Sequence, residues 1–222
     1  MPHTPLMHYS TGMTKQQELI FIRHGQSTAN ARGIWQGQLD YPLSELGRDQ
    51  AARAGTAFAH ETLDGFYASP LSRAFETASI IARKSGYASE VIAMPGLAER
   101  GGGTLEGTTA EQRMDENPEL ARKFLSVPEE ERWAMVGAET DEDVLDRFAR
   151  AVSEVRERHA ADDHIVLVSH GGAMRAFLRD LFGAELLPGT ARTPNASITR
   201  LAWPENGAEP LLLELSRTDH LT

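Results

Sequence analysis

Two histidines and two arginines sit where the chain changes character. Arg23-His24 follows the apolar run Leu19-Ile20-Phe21-Ile22, and His170 follows Ile165-Val166-Leu167-Val168-Ser169. A cation and two imidazoles at the mouths of apolar strands do nothing for a core, so they point to ligand binding or chemistry. Arg73 lies one turn beyond a third apolar segment, Phe66-Tyr67-Ala68, which stops at Ser69-Pro70. Glu99 stands in a glycine-rich stretch, Leu97 to Gly107, whose backbone must pass close to something. Two guanidinium groups, two imidazoles and a carboxyl suit a phosphoryl group. Arginine offers paired donors to phosphate oxygens. A histidine can attack phosphorus, and a carboxyl can protonate the leaving oxygen.

Each residue alone has a plainer reading. A single histidine at a strand end caps or packs, Arg73 could serve an ion pair on its helix, and Asn30, Ser69 and Ser169 could close turns. Glu106, Glu111 and Glu139 lie in related segments and could supply the acid in place of Glu99. Two histidines at separate strand ends, one of them beside an arginine, favour a site over these readings. A metal centre is disfavoured, because the chain has no cysteine and no His-x-x-His spacing, and Arg23 would repel a cation beside His24. Ser27 has no base paired with it along the sequence, which disfavours a serine hydrolase.

The elements that would carry these residues alternate. Strands are expected at 19–22, 66–68, 90–94 and 164–169, and helices at 45–61, 71–85, 141–159 and 173–182. Residues 109–124 read as helix interrupted at Asn117-Pro118, and 126–142 as a charged irregular cap. Two final strands, 196–203 and 211–215, are joined by an Asn206-Gly207 turn and should pair antiparallel. The fold class is therefore α/β: a mostly parallel central sheet with helices on both faces and an antiparallel strand near the C-terminus. Such sheets bind ligands outside the carboxyl ends of their strands, where the candidate residues lie. The expected division is a flexible N-terminal tail, residues 1–17, followed by one catalytic domain, 18–222.

Composition narrows the partners. With 222 residues and a formal net charge of −10, nucleic acid is disfavoured, although a local arginine cluster still suits a small anion. The absence of cysteine excludes a disulfide framework and a thiolate nucleophile. No apolar run reaches the roughly 18–20 residues of a membrane span, and no signal-peptide pattern opens the chain, so a cytoplasmic location is the default.

Taken together, Arg23-His24-Gly25 with Asn30, Ser69-Pro70-Leu71-Ser72-Arg73-Ala74, Leu97-Ala98-Glu99-Arg100 and Ser169-His170-Gly171-Gly172 resemble the histidine phosphatase superfamily, in its branch similar to cofactor-dependent phosphoglycerate mutases. Gly37 with Asp40, and Pro42-Leu43-Ser44 with Leu46-Gly47, resemble the loop that follows its first motif. The resemblance implies that His24 is the nucleophile and that Glu99 is the proton donor. It implies that Arg23, Asn30, Arg73 and His170 bind the phosphoryl oxygens. By position, Gln36, Gly37, Arg100 and Gly171 are expected to touch the substrate. No cofactor or metal is called for, and the partner is a small phosphorylated metabolite. The oligomeric state stays open, a homodimer included. Phosphoglycerate mutases of this type carry a longer middle segment with paired arginines, whereas Arg113, Arg122, Lys123 and Arg132 are dispersed here. Arg100 alone leans towards mutases. Hydrolysis is the favoured reading, with a mutase as the alternative and an inactive binding module on the same fold behind it.

Overall fold

Strand β1 (Gln16–Arg23) shows why the chain folds as layers. Leu19 and Phe21 point to one face and Ile20 and Ile22 to the other, all essentially without exposed surface. A strand apolar on both sides must be covered on both sides. The computed structural model describes residues 15–187, 193–205 and 207–222. Six strands form one sheet in the order β3-β2-β4-β1-β5-β6: β2 (Gly65–Ala68), β3 (Ile92–Ala93), β4 (His164–Ser169), β5 (Ile198–Pro204) and β6 (Leu211–Arg217). The pairs β1–β4, β4–β2 and β2–β3 are parallel, and β1–β5 and β5–β6 are antiparallel.

Leu19, Phe21, Ile165 and Leu167 pack with Val144 and Phe148 of α6 (Asp141–Glu157) and with Met174 and Phe177 of α7 (Gly171–Phe182). On the opposite face, Ile20, Ile22, Val166 and Val168 pack with Ala51 and Ala54 of α1 (Glu45–Ala57) and with Ala74, Ala78 and Ile81 of α2 (Ser72–Ser85). Alternate residues of β1 and β4 therefore serve separate cores, and the two strands are clamped at the centre of the sheet. Register pairs Arg23 with Ser169, so the ends of β1 and β4 lie side by side. β2 ends beside them, with Ala68 opposite Val168.

Several boundaries differ from the sequence reading. The sheet begins at Gln16, and the buried Gln17 amide donates to the carbonyls of Arg156 and His159. Residues 1–14 of the expected tail, 188–192 of the loop before β5, and Asn206 of the expected turn lie outside the described residues. α7 starts at Gly171, because backbone amides that a glycine pair leaves uncovered are satisfied by a carboxylate from another loop. The stretch 126–142 is not irregular: α5 (Glu129–Met135) forms within it. Together with α3 (Ala110–Glu116) and α4 (Pro118–Ser126), it builds a cap around Leu105, Trp133 and Val136, against which Trp35 and Phe124 pack. Aromatic bulk concentrated in few residues made this small core hard to see behind its charges. No helix among the described residues is long and apolar enough to cross a membrane.

Candidate active site

The adjacent ends of β1 and β4 bring His24 and His170 together, with ring centroids 5.0 Å apart. Both are fully buried. The Nδ1 of His24 lies 2.6 Å from the carbonyl oxygen of Gly25. A carbonyl only accepts, so Nδ1 carries the proton and Nε2 keeps its lone pair. Burial pushes the His24 imidazole well below its ordinary pKa, and the positive charges of Arg23 and Arg73 push in the same direction. His170 is lowered likewise by burial, then by Arg73, His24 and Arg23. Both rings are thus held neutral. The His170 Nε2 lies 2.7 Å from Ser69 Oγ at the end of β2, while its buried Nδ1 has no hydrogen-bond partner among the described residues. An anion's oxygen is the kind of partner that nitrogen needs.

The backbone around His24 is held tightly. Its N–H donates to Ser169 O and its carbonyl accepts from Asn195 Nδ2 and from the Ala196 amide. Asn30 belongs to the same shell: its Oδ1 accepts from the Ser27 amide at 3.2 Å and from Asn195 Nδ2 at 3.3 Å. Arg23 donates through Nη1 to the Thr193 carbonyl. Arg73 has no exposed surface; it donates through Nη2 to Gly37 O at 2.7 Å and through Nη1 to Leu39 O at 2.9 Å. Its buried Nε has no partner among the described residues. Burial lowers the Arg73 pKa, partly offset by the charges of Glu99, Asp40 and Glu106, yet a guanidinium stays protonated.

Glu99 reaches the site from the loop after β3. Its Oε1 accepts from the amides of Arg100 (2.8 Å) and Ala173 (2.9 Å), and its Oε2 from that of Gly172 (3.1 Å). The carboxyl thereby completes the N-terminus of α7, whose first residue follows His170 directly. A helix N-terminus beside two arginines makes the pocket favourable for negative charge. The competing acids are occupied elsewhere. Glu139 forms a two-pronged pair with Arg147, and Glu106 Oε1 accepts from the amides of Gln38 and Gly102. Glu111 sits in the first turn of α3.

The positions expected to touch substrate divide. Gly171 lies against the Arg23 guanidinium: a Cβ there would sit 3.3 Å from Nε. Gly37 adopts φ +52°, and a Cβ would collide with Glu106 Oε1, so this residue shapes the loop that Arg73 grips. Gln36 is buried and its Oε1 accepts from Ser27 Oγ at 2.7 Å, which ties it to the Asn30 turn. Arg100 is turned away from the histidines. It donates to Glu139 O at 2.6 Å, pairs with Asp141, and stacks its guanidinium 4.3 Å from the Trp133 ring. The Asp141 carboxylate, the Glu139 carbonyl and the aromatic face of the cap hold that side chain more fully than an open pocket would. Arg147, which sequence reasoning missed, grips the Glu99 loop from α6. Its only signal was a cation one residue from the apolar stripe of Val144, Leu145 and Phe148.

Known proteins resemble this chain over most of its length. The chain is 33% identical over 160 residues to a metal-independent phosphoserine phosphatase of Arabidopsis thaliana, covering 72% of this chain and 66% of that protein. It is 34% identical to a glucosyl-3-phosphoglycerate phosphatase of Mycolicibacterium vanbaalenii over 84% of each chain. A solved mycobacterial glucosyl-3-phosphoglycerate phosphatase, complexed with VO3, superposes with a TM-score of 0.78 at 29% identity, covering 90% of this chain and 99% of that one. Residues 19–215 match the family description, and the chain belongs to the histidine phosphatase superfamily, branch 1.

Proposed function

We propose that this protein is a phosphatase that hydrolyses small phosphomonoesters through a phosphohistidine on His24. The observation that carries this reading is the pair of neutral, buried histidines 5.0 Å apart, set between Arg23 and Arg73. In the first step the Nε2 lone pair of His24 forms a bond to phosphorus while the bond from phosphorus to the substrate oxygen breaks. Glu99 gives that oxygen its proton. Oε2 is the better placed to carry it, having one amide donor where Oε1 has two. In the second step the Glu99 carboxylate takes a proton from water, whose oxygen attacks phosphorus. The nitrogen–phosphorus bond breaks, inorganic phosphate leaves, and His24 is restored.

Arg23 and Arg73 neutralise the phosphoryl oxygens while the neutral His170 hydrogen-bonds to them, and such positioning and charge supply most of the rate gain in phosphoryl transfer. Asn30 holds the Ser27 turn beside them. Hydrolysis is favoured over mutase chemistry because Arg100, Arg113 and Arg132 are committed internally. Arg100 is paired with Asp141, and Arg113 donates to Thr108 and lies 5.9 Å from the Trp35 ring. Arg132 donates to Val127 O. The relatives named for phosphoserine and glucosyl-3-phosphoglycerate support small phosphorylated metabolites as the substrate class.

The test is a panel of phosphomonoesters in which released phosphate and isomer formation are read together. Phosphate release, an acid-labile phosphoenzyme, and loss of both in His24→Ala are expected. Isomer formation without net phosphate release, or near-normal turnover in His24→Ala, would overturn the proposal.

A further inference from the structure

Arg147 directs all five of its guanidinium N–H donors into one neighbourhood. Nη1 donates to Gly96 O (3.0 Å) and Ala98 O (2.7 Å), and Nη2 to Glu99 O (2.9 Å) and Glu139 Oε2 (2.8 Å). Nε donates to Glu139 Oε1 (3.0 Å). Glu139 in turn accepts the Gly101 amide at 2.6 Å. Burial pushes the Glu139 carboxyl up, but hydrogen bonds from Arg147 and the Gly101 amide outweigh it and leave it below its ordinary pKa, so the pair stays charged. The clamp therefore holds the chain on both sides of Glu99, by three carbonyls within 96–99 and by the amide at 101.

Two further contacts close it. A Cβ at Gly96 would lie 2.5 Å from Arg147 O and 2.7 Å from Ala151 Cβ, so the loop is pressed directly onto the backbone of α6. Gln38 Nε2 donates to the same Glu99 carbonyl at 3.0 Å and to Glu139 Oε2 at 3.4 Å. The Glu99 carboxyl rests on α7 while its backbone is fixed by α6, so its place is set from two helices. A lysine could not reproduce this, since its single ammonium lacks the forked geometry that reaches several carbonyls at once.

We infer that Arg147 is a positioning residue for Glu99, fixing the distance between that carboxyl and the oxygen leaving phosphorus. The inference rests on the proposed role of Glu99 as proton donor. Positioned general acids contribute about 10²–10⁴-fold, and a misplacement of about 1 Å can remove about 10²-fold. The loss should then depend on how much the leaving group needs a proton. An alkyl phosphate such as glycerol 2-phosphate leaves as a strongly basic alkoxide, whereas p-nitrophenyl phosphate leaves as a stable phenolate.

The experiment compares kcat/KM for these two substrates in the wild type, Glu99→Gln, Arg147→Lys, and the double variant. This parameter ends at the first irreversible step and so excludes dephosphorylation of His24. For Arg147→Lys, a loss of about 100-fold is expected on the alkyl ester and less than about 5-fold on the nitrophenyl ester. The double variant should be no slower on the alkyl ester than Glu99→Gln alone, because the two act through one proton. Equal losses of Arg147→Lys on both esters, or none, with Glu99→Gln still selective, would overturn the inference and leave Glu99 as the acid. Glu99→Gln slowing both esters equally would overturn the acid role and this inference with it. Glu139→Gln removes the clamp's other half and should show the same selectivity, so it carries the test if Arg147→Lys does not fold.

Discussion

Lowering the pH from 7.5 to 5.5 should destabilise this protein by about 2.7 kcal/mol through His24 and His170 alone. Both side chains are held neutral in the folded state, their pKa values pushed well below 6.5 by burial and by the neighbouring arginines. Unfolded, each takes a proton near pH 6.5. Below that pH the unfolded chain binds the extra protons and stability falls; above it the linkage disappears. One pH unit beneath the unfolded value, each histidine favours unfolding by RT ln(1 + 10), about 1.4 kcal/mol, and at pH 7.5 by less than about 0.1. For a chain of 222 residues this corresponds to a fall in Tm of about 5–10 °C.

Urea unfolding at the two pH values, in a buffer without phosphate, measures the difference. His24→Asn and His170→Asn should each lower that difference by about 1.4 kcal/mol, and the double variant by about 2.7 kcal/mol. Carboxylates held below their ordinary range, such as Glu139 and Asp143, lose their stabilisation only as pH falls below about 4.5, outside this window. His220 is lowered by burial too, and it remains in every variant, so it cancels from the comparison. A pH dependence of the same size in the wild type and the double variant would refute the claim that the two histidines are buried neutral.

An oxyanion such as vanadate should raise Tm by about 5–10 °C at 100 times its dissociation constant, since ligand binding at that excess adds about 2.7 kcal/mol, and Arg73→Met should abolish the shift in differential scanning fluorimetry. Gly37→Ala should destabilise by about 2–4 kcal/mol in urea melts, combining left-handed backbone strain with loss of the charged hydrogen bonds that Glu106 makes to Gln38 and Gly102. Trp133→Ala should loosen the cap by about 3 kcal/mol, read as faster amide hydrogen exchange across 105–138 with α1 and α2 unchanged. Uniform exchange through both regions would show that the cap is not a separate cooperative unit.

The strand ends were legible in the sequence because their grammar is simple. Apolar runs at 19–22 and 165–168 have no room for charge, so Arg23, His24 and His170 stood out at their edges, and the alternation of elements placed those edges together. The direction of a long side chain was not legible. Arg100 and Arg147 are both cations near Glu99, yet Arg100 faces Trp133 and Asp141 while Arg147 faces the carbonyls of the Glu99 loop. Nothing in residue type separates these fates; they follow from which neighbours offer acceptors. The cap core was hidden for a related reason. Trp35, Phe124 and Trp133 come from three separate segments, so no single window carries a period.

The two halves of the site are supported in different ways, and this bears on where variation is tolerated. His24 and His170 stand on central strands buried in both cores, so few substitutions beneath them leave the rings 5.0 Å apart. Glu99 has no strand beneath it. Its place depends on Arg147 and Glu139 behind, on the α7 amides ahead, and on Glu106, which joins the Gln38 turn to the Gly102 turn. The loop that Arg73 grips at Gly37 and Leu39 is thereby coupled through Glu106 to the glycine-rich loop that also carries Glu99. Arg100 and Glu139 extend that coupling into the cap. Substitutions in the cap such as Trp133→Ala should therefore lower kcat/KM on glycerol 2-phosphate more than on p-nitrophenyl phosphate, because the cap is joined through Arg100 and Glu139 to the loop that carries the proposed proton donor.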